Sequence, residues 1–274
     1  MIQQGDSQYK DRLKAMWKLC FPHDSNKFVD FYFKRVYKNE EAIIYMENDS
    51  LVAFLQMIPY SLKFGTEIFQ AGYISGAMTH PDYRRKGYME KLLNASFDIM
   101  RKKGYSYTFL IPQEKWLFGF YEKYGFRRIG NQLNDPVLSE ENVGISNFSV
   151  FKGKEHEKEP SLWKSYFKFL VEKENAVLKT SMQFSNILLD FFDDEGVLFA
   201  NNAGIAFTLK KDNTIIIKEF FCQNKTVYDE FLTAITQYYN SDEIIFPDKN
   251  QGMIKMLDDS AKEISSLYLG MMLD

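Results

Sequence analysis

The stretch Ile74-Ser75-Gly76-Ala77-Met78-Thr79-His80-Pro81-Asp82-Tyr83-Arg84-Arg85-Lys86-Gly87-Tyr88-Met89 concentrates residues able to do chemistry, because it joins an apolar, strand-like run to an amphipathic helical pattern. A helix that begins at Lys86 or Gly87 points unpaired N–H groups and its positive dipole end back at the loop, which makes an anion site before any side chain is counted. Arg84, Arg85 and Lys86 add positive charge, Gly87 removes a Cβ where an oxyanion must touch backbone, and Pro81-Asp82 sets the turn. The same residues also read as a solvated basic helix start with an incidental glycine. Other familiar chemistries lack their residues. The 3 histidines are scattered, and Cys20-x-x-His23 has no second pair to complete four metal ligands, so no metal is expected. No G-x-S-x-G, H-E-x-x-H, G-x-x-x-x-G-K-[ST] or G-x-G-x-x-G occurs, which removes support for hydrolase, zincin, P-loop and dinucleotide readings.

Positioning these residues requires a folded scaffold, and the composition supplies one. Of 274 residues, 45% are apolar, 26% charged and 16% aromatic, a globular mix long enough for two ordinary domains. With 34 basic and 37 acidic side chains the net charge is −3, without the basic excess of a nucleic-acid binder, so no nucleic-acid partner is expected. No apolar run reaches the ~18 residues of a membrane span and the N-terminus lacks a leader pattern, so no membrane partner and a cytoplasmic location are expected. Cys20 and Cys222 neither require nor exclude one bridge, and both are read as reduced thiols.

Periodicity then lays out the elements. Leu13, Met16, Trp17 and Cys20 share one helical face, and a second helix capped by Asp24 or Ser25 carries Phe28, Phe31, Tyr32, Arg35 and Val36. Three extended runs, Ala42 to Glu47, Leu51 to Phe64 and Ile68 to Thr79, are separated by Asn48-Asp49-Ser50 and Gly65-Thr66 and predict an antiparallel meander. Met89, Leu92, Leu93, Ser96 and Met100 mark the buried face of the next helix, with Gly104 as its stop. A strand Tyr107 to Ile111, a helix of about Lys115 to Tyr124 and a strand Phe126 to Gln132 complete a mixed α/β sheet.

Between Asn134 and Pro160 the pattern fades into turn formers and charge, so the division expected is a first domain over 1–134, a linker over 135–160 and a second domain over 161–274. Limited proteolysis is expected to cut the linker first. The second half carries helices near Leu162 to Lys173 and Ser181 to Phe192, strands Gly204 to Leu209 and Thr214 to Cys222, a helix with Val227, Phe231, Ile235 and Tyr238, and a strand Glu243 to Phe246. The order hairpin, helix, strand repeats that between Ile68 and Ile111, as an internal duplication would.

His80 to Gly87 resembles the pyrophosphate loop of the GCN5-related N-acetyltransferases (GNAT), [QR]-x-x-G-x-[GA] after a strand ending in x-P. Phe120-Tyr121-Glu122-Lys123-Tyr124-Gly125-Phe126 resembles the family's late Y-x-x-x-G-F signature. Met89 departs from the pattern, standing where the broad family has Gly or Ala. Arg-Arg-x-Gly-Tyr followed by a large aliphatic is nevertheless similar to the "enhanced intracellular survival" branch, in which a catalytic module precedes a degenerate second copy. The resemblance implies a GNAT fold over the first half and a degenerate GNAT-like module after it. It implies acetyl-CoA as co-substrate, its pantetheine arm on the backbone of Ala77, Met78 and Thr79 and its pyrophosphate on the amides from Arg85 through Lys86, Gly87, Tyr88 and Met89 to Glu90, with Arg84 lending charge. It implies transfer to a primary amine, on a small molecule or a lysine, by direct attack in a ternary complex, with Tyr121 as general acid toward the CoA thiolate. Tyr121 also reads as a core tyrosine, and a non-catalytic acyl-CoA sensor is the rival function. The second copy opens its helix at Cys222-Gln223-Asn224-Lys225-Thr226 without Gly or a basic cluster, so one co-substrate per chain is expected.

The acceptor side is less legible. Phe54, Met57, Tyr60, Trp116, Phe118 and Phe120 fall in flanking segments and suggest an aromatic pocket, although such residues serve cores as readily. The branch's third domain, whose terminal carboxylate reaches the active site, is not expected in a chain ending at Asp274. The apolar end Leu267 to Leu273 reads as a frayed tail, as a contact in a homo-oligomer, or as the carrier of a terminal carboxylate that acts as base, with Glu114 or water as the other candidates.

Overall fold

The computed structural model describes residues 1–130, 147–153, 161–246, 252–258 and 261–273. The first half opens with β1 (Ile2–Gln4), α1 (Lys10–Cys20) and α2 (Asn26–Phe31). Ser25 Oγ accepts from the Phe28 N–H at 3.0 Å and so caps α2. That helix runs on into a wider turn over Tyr32–Val36, closed by the Tyr37 N–H on Tyr32 O five residues back.

The expected meander follows as β2 (Ala42–Glu47), β3 (Ser50–Phe64) and β4 (Glu67–Thr79), then α3 (Tyr88–Lys102), β5 (Tyr107–Leu110), α4 (Lys115–Glu122) and β6 (Arg127–Ile129). β2, β3 and β4 pair antiparallel, and β5 lies parallel to β4 through Ala71–Tyr107, Gly72–Thr108 and Tyr73–Phe109. α3 lays Leu92, Leu93, Phe97 and Met100 against one face of this sheet. α1, α2 and the turn after it cover the other face, with Leu13, Trp17, Tyr32 and Phe33 buried there. Burying four such side chains at ~1.5–3 kcal/mol each fixes which way the sheet faces, far outweighing any strand propensity.

The later half contains β7 (Ser149–Lys152), α5 (Ser161–Glu172), β8 (Asn175–Leu178), α6 (Ser181–Asp193), β9 (Val197–Asn201), β10 (Gly204–Lys211), β11 (Thr214–Cys222), α7 (Lys225–Tyr239), β12 (Glu243–Ile245) and β13 (Gly252–Met256). Its own sheet runs β12-β11-β10-β9-β7. The antiparallel run β9-β10-β11 leads through α7 to β12, parallel to β11, which is the connectivity of β2-β3-β4-α3-β5. The duplication read from element order is therefore present as topology.

The expected division of the chain does not describe how the two sheets are made. β13 lies between β5 and β6, antiparallel to both, and β8 pairs antiparallel with the far end of β3. Met253 and Ile254 are buried on opposite faces, which suits the middle of a sheet better than a separate module's edge. β7 falls inside the expected linker yet pairs with β9, while the rest of that linker (135–146 and 154–160) lies outside the described residues. The apolar end is neither frayed nor a surface contact: Leu267, Tyr268, Leu269 and Leu273 are buried between the halves. Asp274, and with it the terminal carboxylate that was one candidate base, lies outside the described residues. A cut in the expected linker should therefore leave both halves associated, because β8 and β13 remain paired with the first sheet. Size exclusion of nicked protein without denaturant measures this, and two separate peaks would show that the cross-pairing contributes little.

Candidate active site

The site starts from a break in the sheet. Gln56 faces Ser75 across β3 and β4, but Phe54 faces Met78, so Gly76 and Ala77 stand opposite the single residue Leu55. This β-bulge needs a left-handed residue, and Gly76 has φ +60°. A Cβ there would come within 2.7 Å of the Trp17 ring, so the position excludes a side chain on packing as well. The bulge turns β4 away from β5. Their pairing ends at Tyr73–Phe109, and the β4 edge from Ile74 to Thr79 has no strand partner on that side among the described residues.

A cleft opens where the strands part. β4 residues from Tyr73 to Ala77 form one side, and Leu110 with the loop Ile111 to Gln113 the other. α1 and α2 contribute Trp17, Phe21 and Phe28, the turn after α2 contributes Tyr32, and α4 contributes Leu117 and Tyr121. Trp17 organises its end of the wall, with ring centroids 4.6 Å from Tyr32 and 5.1 Å from Phe21, and its indole N–H donates to Asp24 Oδ2 at 2.7 Å. The cleft has an aromatic wall, but none of the six residues expected from sequence on the acceptor side belongs to it. Phe54, Met57 and Tyr60 are buried in the cores, Trp116 is exposed, Phe118 takes the Arg128 guanidinium over its ring, and Phe120 packs on Tyr121 and Tyr124. Strand alternation decided against the first three, since their sheet positions face filled layers rather than the parted edge.

Tyr121 lies in the cleft wall and is 7% exposed, its ring edge-on to Phe126 at 5.7 Å and to Phe120 at 5.1 Å. Gly125, at φ +83°, ends the turn after α4 and lets Phe126 fold back beneath Tyr121. The Tyr121 hydroxyl makes no hydrogen bond among the described residues, and burial pushes the phenol up to about 12. Glu114, the other base considered, is not part of the cleft; its Oε2 accepts from the Trp116 indole.

Beyond β4 the chain makes a tight turn over Pro81–Tyr83, and Arg85 and Gly87 take left-handed backbone, φ +62° and +77°. Gly87 precedes α3 with no side chain capping the helix, and the Lys91 N–H is the first to close on Gly87 O. The amides of Tyr88, Met89 and Glu90 are thereby left for an outside acceptor. Arg84, Arg85, Lys86 and Gly87 are exposed around them, and an ideal Cβ on Gly87 meets nothing nearer than Glu90 Oε2 at 3.9 Å. Lys86 Nζ sits 5.0 Å over the Tyr83 ring. Tyr88 itself turns inward and donates to Glu47, which anchors the first residue of α3. Arg84 Nε donates to Thr79 O at 3.2 Å, and the Cys20 thiol donates to the same carbonyl at 3.4 Å, so of Ala77, Met78 and Thr79 the last already has its carbonyl engaged. Burial pushes the Cys20 thiol up against the opposing pull of Arg84.

The structure therefore brings the β4 edge from Tyr73 to Ala77 and Tyr121 to one cleft, while the loop from Arg84 to Glu90 follows the end of β4 and is not among the residues that line it. At the matching place in the second half, Asn224 Oδ1 accepts from the Val227 N–H at 3.0 Å and closes the start of α7 with the chain's own side chain. Ser75, Tyr32 and Gln56 were missed from sequence: a serine and a glutamine inside apolar strands are the only signal, and nothing local pairs them. Among the described residues no three His, Cys, Asp or Glu side chains converge as metal ligands. No helix there is long and apolar enough to cross a membrane.

Comparison with known proteins agrees with this geometry. The family model for the acetyltransferase (GNAT) domain matches residues 2–129. No curated protein matches the sequence. Among solved structures, a conserved protein of Enterococcus faecalis described as a probable N-acyltransferase aligns with TM-score 0.75 at 10% identity, over 94% of this chain and 72% of its own. Eis1 from Mycobacterium abscessus aligns with TM-score 0.70 at 10% identity, over 94% and 74%. A putative acetyltransferase from Pyrococcus horikoshii aligns with TM-score 0.60 at 13% identity, over 99% and 94%. At these identities the structural likeness establishes the fold.

Proposed function

Starting from a first module, residues 2–129, that belongs to the acetyltransferase (GNAT) family, we propose that the chain transfers acetyl from acetyl-CoA to a primary amine by direct attack within a ternary complex. The observation that carries the reading is a parted strand edge and a buried tyrosine walling one cleft, with an uncapped helix start following the same strand. The amides from Arg85 to Glu90 receive the pyrophosphate, and Arg84, Arg85 and Lys86 add charge that also steers an anion inward. The open backbone of Ala77, Met78 and Thr79 takes the pantetheine arm as an added strand would be taken. Thr79 O joins this pairing once Arg84 swings to the phosphates. Tyr121 gives its proton to the departing sulfur. The acceptor comes from the side walled by Trp17, Phe21 and Phe28.

A second reading, an acyl-CoA sensor, is favoured by one observation: among the described residues no Asp, Glu or His is part of the cleft wall, so none of them stands there as a side-chain base for the amine's proton. In the transfer reading that proton leaves to water, after the uncharged amine has entered. Assay of thiol release from acetyl-CoA against a panel of amines separates the two. Amine-dependent release above the hydrolysis rate is expected, whereas tight acetyl-CoA binding with no amine-dependent release would establish the sensor.

A further inference from the structure

We propose that Ser75 Oγ is the hydrogen-bond acceptor that holds the nitrogen of the acetyl acceptor, and that this acceptor is a small primary amine with a flat, apolar body. The inference rests on the transfer reading above and concerns a residue that neither the loop nor the tyrosine motif points to.

The argument follows hydrogen atoms through a buried chain. Gln56, fully buried on β3, places Nε2 3.0 Å from Val36 O and 3.0 Å from Glu41 Oε2. A backbone carbonyl only accepts, so Nε2 must be the amide nitrogen, and Oε1 is left to accept. Tyr32 Oη lies 3.0 Å from Gln56 Oε1 and 3.0 Å from Ser75 Oγ. Its single hydrogen is committed to Gln56, the partner that has nothing to give. Ser75 must therefore donate its own hydrogen to Tyr32. Lys38 Nζ, 3.0 Å from Glu41 Oε1, holds the far end of the chain as an ion pair. The direction of every hydrogen is set from that end, and Ser75 Oγ is left with lone pairs alone.

Ser75 is 8% exposed, and the space it touches is the cleft. A hydroxyl whose hydrogen is spoken for can only accept there, which suits an amine N–H and leaves the amine's own lone pair free to attack. Around it the wall is aromatic, from Trp17, Phe21, Phe28 and Tyr32, with no cationic or anionic side chain in it among the described residues. Such surroundings disfavour the ammonium form and favour the uncharged nucleophile. They also penalise a polycation, whose remaining charges would lose water without gaining partners. A flat apolar body gains the ring faces instead.

Thiol release with 2-phenylethylamine, spermidine and Nα-acetyl-lysine, for the parent and Ser75→Ala, tests the proposal. The expected order of kcat/KM places 2-phenylethylamine first by tenfold or more. In Ser75→Ala the KM should rise about tenfold, the scale of one lost hydrogen bond, with acetyl-CoA affinity unchanged and Tm lowered by the loss of the buried Tyr32 contact. Tyr32→Phe, which frees the Ser75 hydrogen to rotate into the cleft, should raise the same KM by a smaller factor. An unchanged amine KM in both variants, or spermidine as the better substrate, overturns the proposal and leaves acetyl transfer standing. No release with any amine, despite acetyl-CoA binding, overturns the transfer reading itself and this inference with it.

Discussion

Gly87→Asp is expected to abolish measurable acetyl-CoA binding in a chain that still folds. Two effects add at this one position. A side chain at φ +77° is strained by roughly 1–2 kcal/mol, because Cβ crowds the following carbonyl in left-handed backbone. The new carboxylate also stands beside the amides of Tyr88, Met89 and Glu90, where the pyrophosphate is proposed to sit. Two unit charges 4 Å apart at an effective dielectric near 20 repel by ~4 kcal/mol, about three decades in Kd. Space is not the obstacle, since nothing lies within 3.4 Å of an ideal Cβ and the nearest atom is the far end of Glu90. Gly87→Ala carries the strain without the charge, so the difference between the two variants isolates electrostatics. Calorimetric titration with acetyl-CoA reads both, and undiminished affinity in Gly87→Asp would remove this loop from the site.

That the loop's form could be read follows from its physics being local. A glycine and three basic residues before an amphipathic pattern announce an open helix start, the candidate anion site proposed above, without knowledge of the rest of the chain. β3 and β4 were equally legible, because turn formers bound both and their partners are adjacent in sequence. β8 and β13 were not: Gly252–Met256 pairs with residues over 100 positions away, and no periodicity within five residues says where a strand will dock. The internal repeat shows the same limit from another side, since element order disclosed it while β9, its first strand, went unread.

The aromatic wall of the cleft was not legible for a related reason. It comes from α1, α2 and the turn at Tyr32, which meet the parted strands only after the sheet has folded. Phe54 and Tyr60 looked as suitable as Trp17 or Phe28 until the sheet assigned their faces. The Ser75–Tyr32–Gln56 chain joins residues 24 and 43 positions apart through single hydrogen bonds, and a polar residue in an apolar strand does not announce its partner.

Tyr121→Phe is expected to lower kcat ~10²-fold or more with acetyl-CoA affinity unchanged, because a proton donor contributes in the transition state and not in ground-state binding. The variant removes a hydroxyl that has no hydrogen-bond partner among the described residues, so no buried group is orphaned and the ring stays packed between Phe120 and Phe126. With its phenol held at about 12, Tyr121 keeps its proton throughout the neutral range. The same shift makes it a weak acid: against an ordinary thiol near 8.5 the gap is roughly 3.5 in pKa, or ~5 kcal/mol opposing full transfer. Burial supplies the remedy as well as the difficulty. A thiolate formed in the cleft loses water just as the phenolate would, so its proton affinity rises too, and a hydrogen bond from Tyr121 closes much of the remaining gap. The proposed proton donation thus depends on both groups sharing one dry site. The sign of the pH dependence follows, for Tyr121 ionises only near pH 12 and kcat should show no descending limb from it between about pH 7 and 10. A phenylalanine variant as active as the parent, or a loss of kcat matched by an equal loss of acetyl-CoA affinity, would return Tyr121 to the core as a packing residue.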